Sequence, residues 1–410
     1  AGPASVSGRG DLAGKLRAAN RRKQLTAFAL LGPALAIMLI AFVWPIISLL
    51  TNAVHAPEFR QAVPDLARWL DDWNGEALPG EEAYALVVRE FGAAYEAKTL
   101  PRASTRLNYE AGGMRSLAMK TGRRAPRIQA PYKEALIKVD ADWGRIETWR
   151  ALKAASGNLT DRFLLQALDL ERDFEAGIQR APEERRVYLD RLGVTFWIAV
   201  VVTGIAALIG YPMAYVMAMA SPGQSRLLFI LVLLPFWISL LVRTAAWVVL
   251  LQKEGILNGA LLWFGIVDEP LQLIFNRFGV YVAMTHILLP FMVLPLYSVM
   301  KSIPTNQMRA AASLGARPVP AFLTVYFPQT LPGLGAGCLL VFILSIGFYV
   351  TPALVGGSRD QTISALIAEF ALGTANWGLA SALALLLLAA IALVYPILGR
   401  HARARNLPLG

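Results

Sequence analysis

The chain has 410 residues, 56% of them hydrophobic and only 16% charged, with a mean hydropathy of +0.49, which excludes an ordinary soluble domain of this size. The formal net charge of +11 lies largely in short clusters beside apolar runs, so it reads as membrane topology rather than as a nucleic-acid surface. A single cysteine, Cys338, excludes an intrachain disulfide and a Cys-based metal site.

Residues 1–25 form a basic segment placed in the cytoplasm. Crossing a hydrocarbon layer takes roughly 20 apolar residues, and the chain offers six such runs, Thr26–Leu50, Val194–Met219, Leu227–Leu251, Val280–Met300, Leu331–Leu354 and Leu379–Leu398. The first is longer than a signal-peptide core and passes through Trp44 and Pro45 without a small-residue cleavage site, so residues 26–52 read as a retained first transmembrane helix.

Residues 53–190 differ from everything else. They carry 22 acidic and 21 basic residues, and the even balance marks a soluble insertion between the first and second spans. Apolar residues recur there at helical spacing, through Phe59, Val63, Leu66, Leu70 and Trp73, then Tyr84, Val87 or Val88, Phe91 and Tyr95, then Leu136, Val139, Trp143, Ile146 and Trp149. A further amphipathic run passes through Phe163, Ala167, Leu170 and Phe174 after Asn158 and Thr160. The insertion is therefore expected to be mainly helical, with the basic, glycine-containing stretch Arg102–Arg127 as a long loop.

Residues 191–400 hold the other five runs. Prolines inside the apolar runs, Pro45, Pro212, Pro235, Pro290, Pro295 and Pro352, each remove a backbone donor and are expected to bend or interrupt a helix, as in a bundle with an internal path. Arg243 is the only charge inside a run; counted from Arg226 it lies 17 residues, or ~25 Å of straight helix, across the membrane. There it can snorkel to the far surface, or meet a substrate carboxylate or an acidic partner helix. No Asp or Glu lies inside any run, so for a cationic solute Glu369, in the segment Thr362–Trp377, is the best acid, and Trp237, Phe348, Tyr349 and Trp377 are the best aromatic faces. The three histidines share no metal-ligand spacing, and no Gly-x-x-x-x-Gly-Lys-Ser/Thr element is present.

Basic residues outnumber acidic ones thirteen to one in the segments assigned to the cytoplasm, and stand four to five in the short segments assigned outside. Six crossings put both termini in the cytoplasm, including the tail 401–410, and residues 53–190 in the periplasm.

The loop 301–330 falls on the cytoplasmic side and contains RAAASLGARPVPAFLTVYFP from Arg309 to Pro328. Pro304 ends the preceding helix, Thr305 or Asn306 can cap a short new one through Arg309, Ala310, Ala311 and Leu314, and Gly315 permits a sharp turn. Pro318, Pro320 and Pro328 punctuate the second arm, with Val-x-Phe-Pro as its stop. The small alanines let the helix approach another surface closely.

This loop resembles the EAA loop of ABC-importer permeases, where Gly is followed, after nine intervening residues, by Ile-x-Leu-Pro; here Gly315 is followed after nine intervening residues by Val325-Tyr326-Phe327-Pro328. Arg309 departs from the pattern, standing where the family has its Glu. Leu233–Leu251, Gly255–Ile266, Leu288–Ser298 and Phe348–Gly357 are similar to the spermidine/putrescine-type permeases. The resemblance implies an all-α integral membrane protein of six transmembrane helices in the type I ABC importer permease architecture, with the large, mainly helical, extracytoplasmic insertion between helices 1 and 2 as its departure. It further implies a bacterial inner-membrane transport subunit without catalysis of its own or a bound cofactor. Its implied companions are two cytoplasmic ATPase subunits that bind ATP and Mg, a second permease subunit, identical or different, a periplasmic substrate-binding protein and membrane lipid, with no nucleic acid. Arg309, Ala310, Ala311, Leu314, Gly315 and Pro328 would meet the ATPase, and a polyamine such as spermidine or putrescine would be the cargo. A secondary transporter driven by an ion gradient is the competing class, disfavoured by the acid-free runs. A membrane-embedded enzyme or assembly factor is disfavoured by the insertion's lack of a nucleophile, metal or phosphate motif.

Overall fold

The computed structural model describes residues 7–173, 177–304 and 306–403. Thr305, Phe174 and the tail beyond Arg403 lie outside the described residues, as do the side chains of residues 1–28, 30, 173 and 395–403. Helix α1 (Ser7–Val54) is one continuous helix despite Pro33 and Pro45, and it is apolar from Leu31 to Val54.

Residues from Ala53 onward form a second compact unit. Its first part is helical: α2 (Glu58–Ala62), α3 (Pro64–Asp72), α4 (Glu81–Glu96), α5 (Leu100–Glu110), α6 (Met114–Arg124), α7 (Tyr132–Val139), α8 (Ile146–Ser156) and α9 (Arg162–Ala167). These bury Phe59, Leu66, Leu70, Tyr84, Phe91, Leu107, Trp143 and Trp149 in one core, at about 1.5–3 kcal/mol for each large apolar side chain. The polar handles of the aromatics are satisfied inside. Tyr84 Oη and Trp149 Nε1 both donate to the Trp143 carbonyl, at 2.9 and 3.3 Å, and Trp143 Nε1 donates to Thr121 Oγ1 at 3.0 Å.

The expected loop 102–127 is instead two helices, α5 and α6. Leu100, Ala103 and Leu107 face the core from one, and Met114, Leu117 and Ala118 from the other. The apolar positions are interleaved with the exposed Arg102, Arg115, Arg123 and Arg124 and with Arg106, which is buried and paired with Glu110, so basic composition hid the period; the real break is confined to Ala111–Gly113. The run from Leu136 to Trp149 is two helices joined by a 3₁₀ turn at Ala141–Gly144. The last expected helix stops at Ala167, and Leu170 lies in a two-stranded antiparallel hairpin, β1 (Leu170–Asp173) with β2 (Gly177–Arg180).

The apolar part follows as α10 (Tyr188–Met219), α11 (Pro222–Leu233), α12 (Leu240–Leu251), α13 (Ile256–Trp263), α14 (Arg277–Ser302), α15 (Asn306–Ser313), α16 (Pro318–Ala321), α17 (Phe327–Gly347), α18 (Val350–Val355), α19 (Ile363–Ala368) and α20 (Trp377–Arg403). Among the described residues, five helices are long and apolar enough to cross a membrane, or six if one bent pair counts as a span. The centre is α14, packed against α10 and α17 through Met284, Leu288, Met292, Val293 and Leu296.

Three expected runs are reshaped. Leu227–Leu251 is no straight helix: a 3₁₀ turn at Leu234–Trp237 leads into a break, and the two arms bend by 97°. Pro235 cannot donate to the carbonyl four residues back, which loosens the ladder there. The straight-helix count that placed Arg243 ~25 Å from Arg226 therefore fails.

The run expected at Leu331–Leu354 begins upstream at Pro318 and ends at Gly347. Pro352 has no N–H for the Phe348 carbonyl, and Thr362 Oγ1 donates to that oxygen instead, at 3.3 Å. Pro328 is not a stop. The helix passes through it because Phe322–Tyr326 winds as a π-helix, which shifts the hydrogen-bonding register where the proline lacks its donor. Pro212, Pro290 and Pro295 likewise sit inside continuous helices.

The hairpin side of the insertion is tied to the apolar part. The Asp169 carboxylate accepts from the backbone N–H groups of Val187, Tyr188 and Leu189 at 3.1, 3.0 and 2.9 Å, covering the first turn of α10. Gln166 Nε2 donates to Tyr188 Oη at 3.1 Å.

Candidate functional site

The segment following α14 is built by local rules. Gly315 has φ +85°, its N–H bonds to the Ala312 carbonyl and the Ala316 N–H to the Ala311 carbonyl, both at 3.0 Å. This is a Schellman closure of α15, and it needs a residue that accepts the left-handed conformation. Arg317 then opens α16 with Pro318 at its first position. Arg309, Ala310, Leu314 and Gly315 are exposed, Leu314 at 89%, and Ala311 is half-buried. No described residue pairs with Arg309.

What lies beneath this exposed tip is packed against the apolar core. Met308 packs on the central core, and Gln329 Nε2 donates to Gln307 Oε1 at 2.7 Å. Phe322 and Tyr326 of the π segment stack at 5.6 Å and meet Tyr215 of α10 edge-on at 5.7 and 5.5 Å. Tyr211 reaches Phe327 at 5.7 Å and hydrogen-bonds Thr330 at 3.1 Å. Pro328 is exposed on the helix leaving the loop rather than in the loop itself. The tip thus offers an apolar side chain, small residues and one unpaired guanidinium on a stem fixed to α10 and α17.

The six candidate path residues lie on five segments of the chain. Trp237, 83% exposed, is in the 3₁₀ turn before the break, and Arg243 is in the first turns of α12. Phe348 and Tyr349 occupy the break between α17 and α18, which is brought against α12 by a 3.1 Å bond between Thr244 Oγ1 and Thr351 Oγ1. Glu369 is exposed in a π turn, Glu369–Gly373, and Trp377 opens α20. Among the described residues, none of the six hydrogen-bonds or ring-stacks with another.

One pair escaped the sequence reading. His286, within α14, accepts from Trp247 Nε1 at its Nδ1, 3.2 Å away, with the rings edge-to-face at 5.4 Å. In this geometry Nδ1 is the accepting nitrogen of the imidazole. Arg243, one turn before Trp247, lies within electrostatic reach of this ring. Its Nε is buried without an acceptor among the described residues, an arrangement that carries a desolvation cost. His286 also borders a cavity of about 530 Å³ between α10, α11 and α14, otherwise lined by apolar side chains such as Met213, Leu231 and Pro290. Trp247 and His286 are 39 residues apart, so only an isolated imidazole in an apolar run could have drawn notice.

Among the described residues no group of three or more His, Cys, Asp or Glu could hold a metal ion.

Comparison with known proteins gives a family and relatives. Residues 194–406 match the family described as "Binding-protein-dependent transport system inner membrane component". The spermidine/putrescine transport system permease protein PotB of Escherichia coli K12 is 32% identical over 220 residues, 54% of this chain and 80% of that one. Its counterpart in Haemophilus influenzae Rd is 36% identical over 202 residues, 48% of this chain and 71% of that one. Among solved structures, a bacterial ABC transporter importing the acidic polysaccharide alginate is similar at 17% identity and TM-score 0.43, over 54% of this chain and 80% of that one, a likeness too slight to argue from. The family match starts at residue 194, so the insertion lies outside it.

Proposed function

This chain belongs to the binding-protein-dependent transport system inner membrane components, a multi-pass ABC importer permease; on that premise we propose that it forms half of the translocation path for a polyamine. In this reading a periplasmic binding protein delivers spermidine or putrescine, and a second permease chain completes the path. Two cytoplasmic ATPase subunits, which bind ATP and Mg, drive it. The observation that carries the reading is the α15 tip, an exposed short helix closed by Gly315 on a stem packed into α10 and α17. A partner that closes on ATP and grips Ala310, Ala311, Leu314 and Gly315 would move that stem, and the difference in contact between the two states is what switches the bundle.

Arg309, exposed and unpaired, would meet an acidic side chain of the ATPase in place of the basic one a Glu would need. The polyamine assignment leans on the spermidine/putrescine relatives. Both termini and the α15 tip would then face the cytoplasm and residues 53–190 the periplasm, where the insertion meets the delivery protein. The domain division follows: a basic segment at 1–25, a first crossing at 26–52, the insertion at 53–190, the permease core at 191–400 and the tail at 401–410.

The test is reconstitution in proteoliposomes. Radiolabelled spermidine should accumulate only when ATP, the ATPase chains and the binding protein are all supplied. Accumulation by this chain alone under an ion gradient would overturn the reading.

A further inference from the structure

Helix α9 of the insertion shares an apolar core with the segment that carries Glu369. Phe163 and Ala167 of α9 lie there with Tyr188 of α10, Ile346 of α17, Ile363 of α19 and Leu383 of α20. Phe370, next in the chain after Glu369, packs against this core and meets the Tyr188 ring at 6.2 Å. The same tyrosine, only 6% exposed, accepts the Gln166 Nε2 hydrogen bond at its Oη, and Glu369 lies within electrostatic reach of it. A line of contacts therefore runs from α9 through Tyr188 to the π turn Glu369–Gly373.

That turn is held unevenly. Upstream, the Ile363 N–H donates to Thr195 Oγ1 at 2.8 Å and Ser364 Oγ donates to the Ile346 carbonyl at 2.7 Å, which pins the start of α19 to α10 and α17. Downstream, the Asn376 N–H donates to the Phe370 carbonyl at 2.7 Å. Between these ties Leu372 is 76% exposed, and among the described residues no hydrogen bond or ion pair engages the exposed Glu369 carboxylate. Its aim is left to the flank of the turn that Phe370 seats on Tyr188. A carboxylate fixed before its ligand arrives binds without the cost of being ordered then.

We propose that the insertion is the positioning element for the outer end of the path: Gln166 of α9 orients Tyr188, and Tyr188, through Phe370, fixes the turn from which Glu369 meets the cargo. Gln166 and Tyr188 are positioning residues that act through Glu369. The inference rests on the permease reading above and gives the insertion a task within it.

The experiment uses the whole importer in proteoliposomes, with its ATPase chains and a saturating amount of spermidine-loaded binding protein. Gln166→Ala and Tyr188→Phe, which keeps the ring against Phe370, should each lower spermidine uptake about fivefold, the factor that one hydrogen bond carries, while ATP hydrolysis stays within about twofold of the unaltered importer. Joined to Glu369→Gln, neither should lower uptake beyond what Glu369→Gln does alone, since all three act on one carboxylate. Hydrogen exchange at the amides of residues 369–373 should quicken about fivefold in Gln166→Ala, with residues 187–189, which Asp169 holds, unchanged. The positioning role is overturned if uptake and hydrolysis fall together, if the losses from Gln166→Ala and Glu369→Gln multiply, or if exchange at 369–373 does not move. If the unaltered importer takes up no spermidine, the polyamine reading itself fails, and the exchange measurement, which needs no cargo, still decides whether α9 holds the turn.

Discussion

The ring of Phe163 occupies the space that a Cβ at Gly378 would need, so the end of the insertion seats directly on the first turn of α20. A side chain at 378 must push α9 off the membrane helix. Gly378→Leu is expected to cost about 1–3 kcal/mol by overpacking and to lower the thermal midpoint of the purified protein in detergent. Phe163→Ala in the same background should recover part of the loss by making room. An unchanged midpoint for Gly378→Leu would show that the contact does not bear on stability.

Asp169 is a second tie between the same two regions. Its buried carboxylate accepts from three N–H groups at the start of α10 while its own backbone sits at φ +56°. Asp169→Ala removes the acceptor and places a residue poorly suited to that conformation, for a loss of about 1–2 kcal/mol. Asp169→Asn keeps one acceptor and tolerates the backbone, so it should lose distinctly less. Hydrogen exchange at the amides of residues 187–189, faster in the alanine variant, reads the effect locally.

Gly315 separates backbone from surface. Nothing lies within 4 Å of where its Cβ would be, so only φ +85° restricts the position. Gly315→Asn should keep the closure of α15, while Gly315→Val carries about 1–2 kcal/mol of left-handed strain and should deform the tip. Uptake coupled to ATP hydrolysis is expected to fall with Val and persist with Asn; equal activity of the two would detach function from this turn.

Glu369 is the exposed acid proposed for a cationic cargo. Glu369→Gln should reduce spermidine uptake several-fold more than basal ATPase activity. Parallel loss of both would mean a general defect of assembly and not a contact with cargo.

The insertion carries a pH signature of its own. Lys120 Nζ lies 2.8 Å from Asp140 Oδ2 and this bond, opposed by partial burial and aided by the Asp142 N–H, holds the Asp140 carboxyl below its ordinary range. The folded form then binds fewer protons than the unfolded one. Its contribution is fully present above the unfolded value of about 3.9 and disappears as pH drops through the lower folded value. Melting curves from neutral pH down to about 3 should therefore show an acid limb that is shallower in Lys120→Met.

Much of the architecture was legible because its signals are local. The apolar runs locate α10 and α14, and Gly315 with its preceding alanines announces a closed short helix within a few residues. What escaped depends on distant partners. The 97° bend after Trp237 and the donor that the Phe348 carbonyl finds at Thr362, where the long helix has ended at Gly347, belong to the folded chain and not to any local apolar pattern. Helices α5 and α6 were hidden by arginines interleaved with their apolar positions, and Leu170 was drawn into a hairpin whose other strand no helical period could reveal. The candidate path residues were chosen by type; the structure brings the Phe348–Tyr349 break against α12, which carries Arg243, and sets Glu369 and Trp377 on other segments. The Trp247–His286 bond, by contrast, needed folded coordinates to be seen at all.

From Pro318 to Gly347 the backbone winds without a single non-helical residue, through the π segment and past Pro320, Pro328 and Pro332. On the permease reading, a displacement at the Gly315 end would pass into α17 along an unbroken helix braced by the rings of Tyr211 and Tyr215, and the π segment with its neighbouring prolines is where that helix would bend.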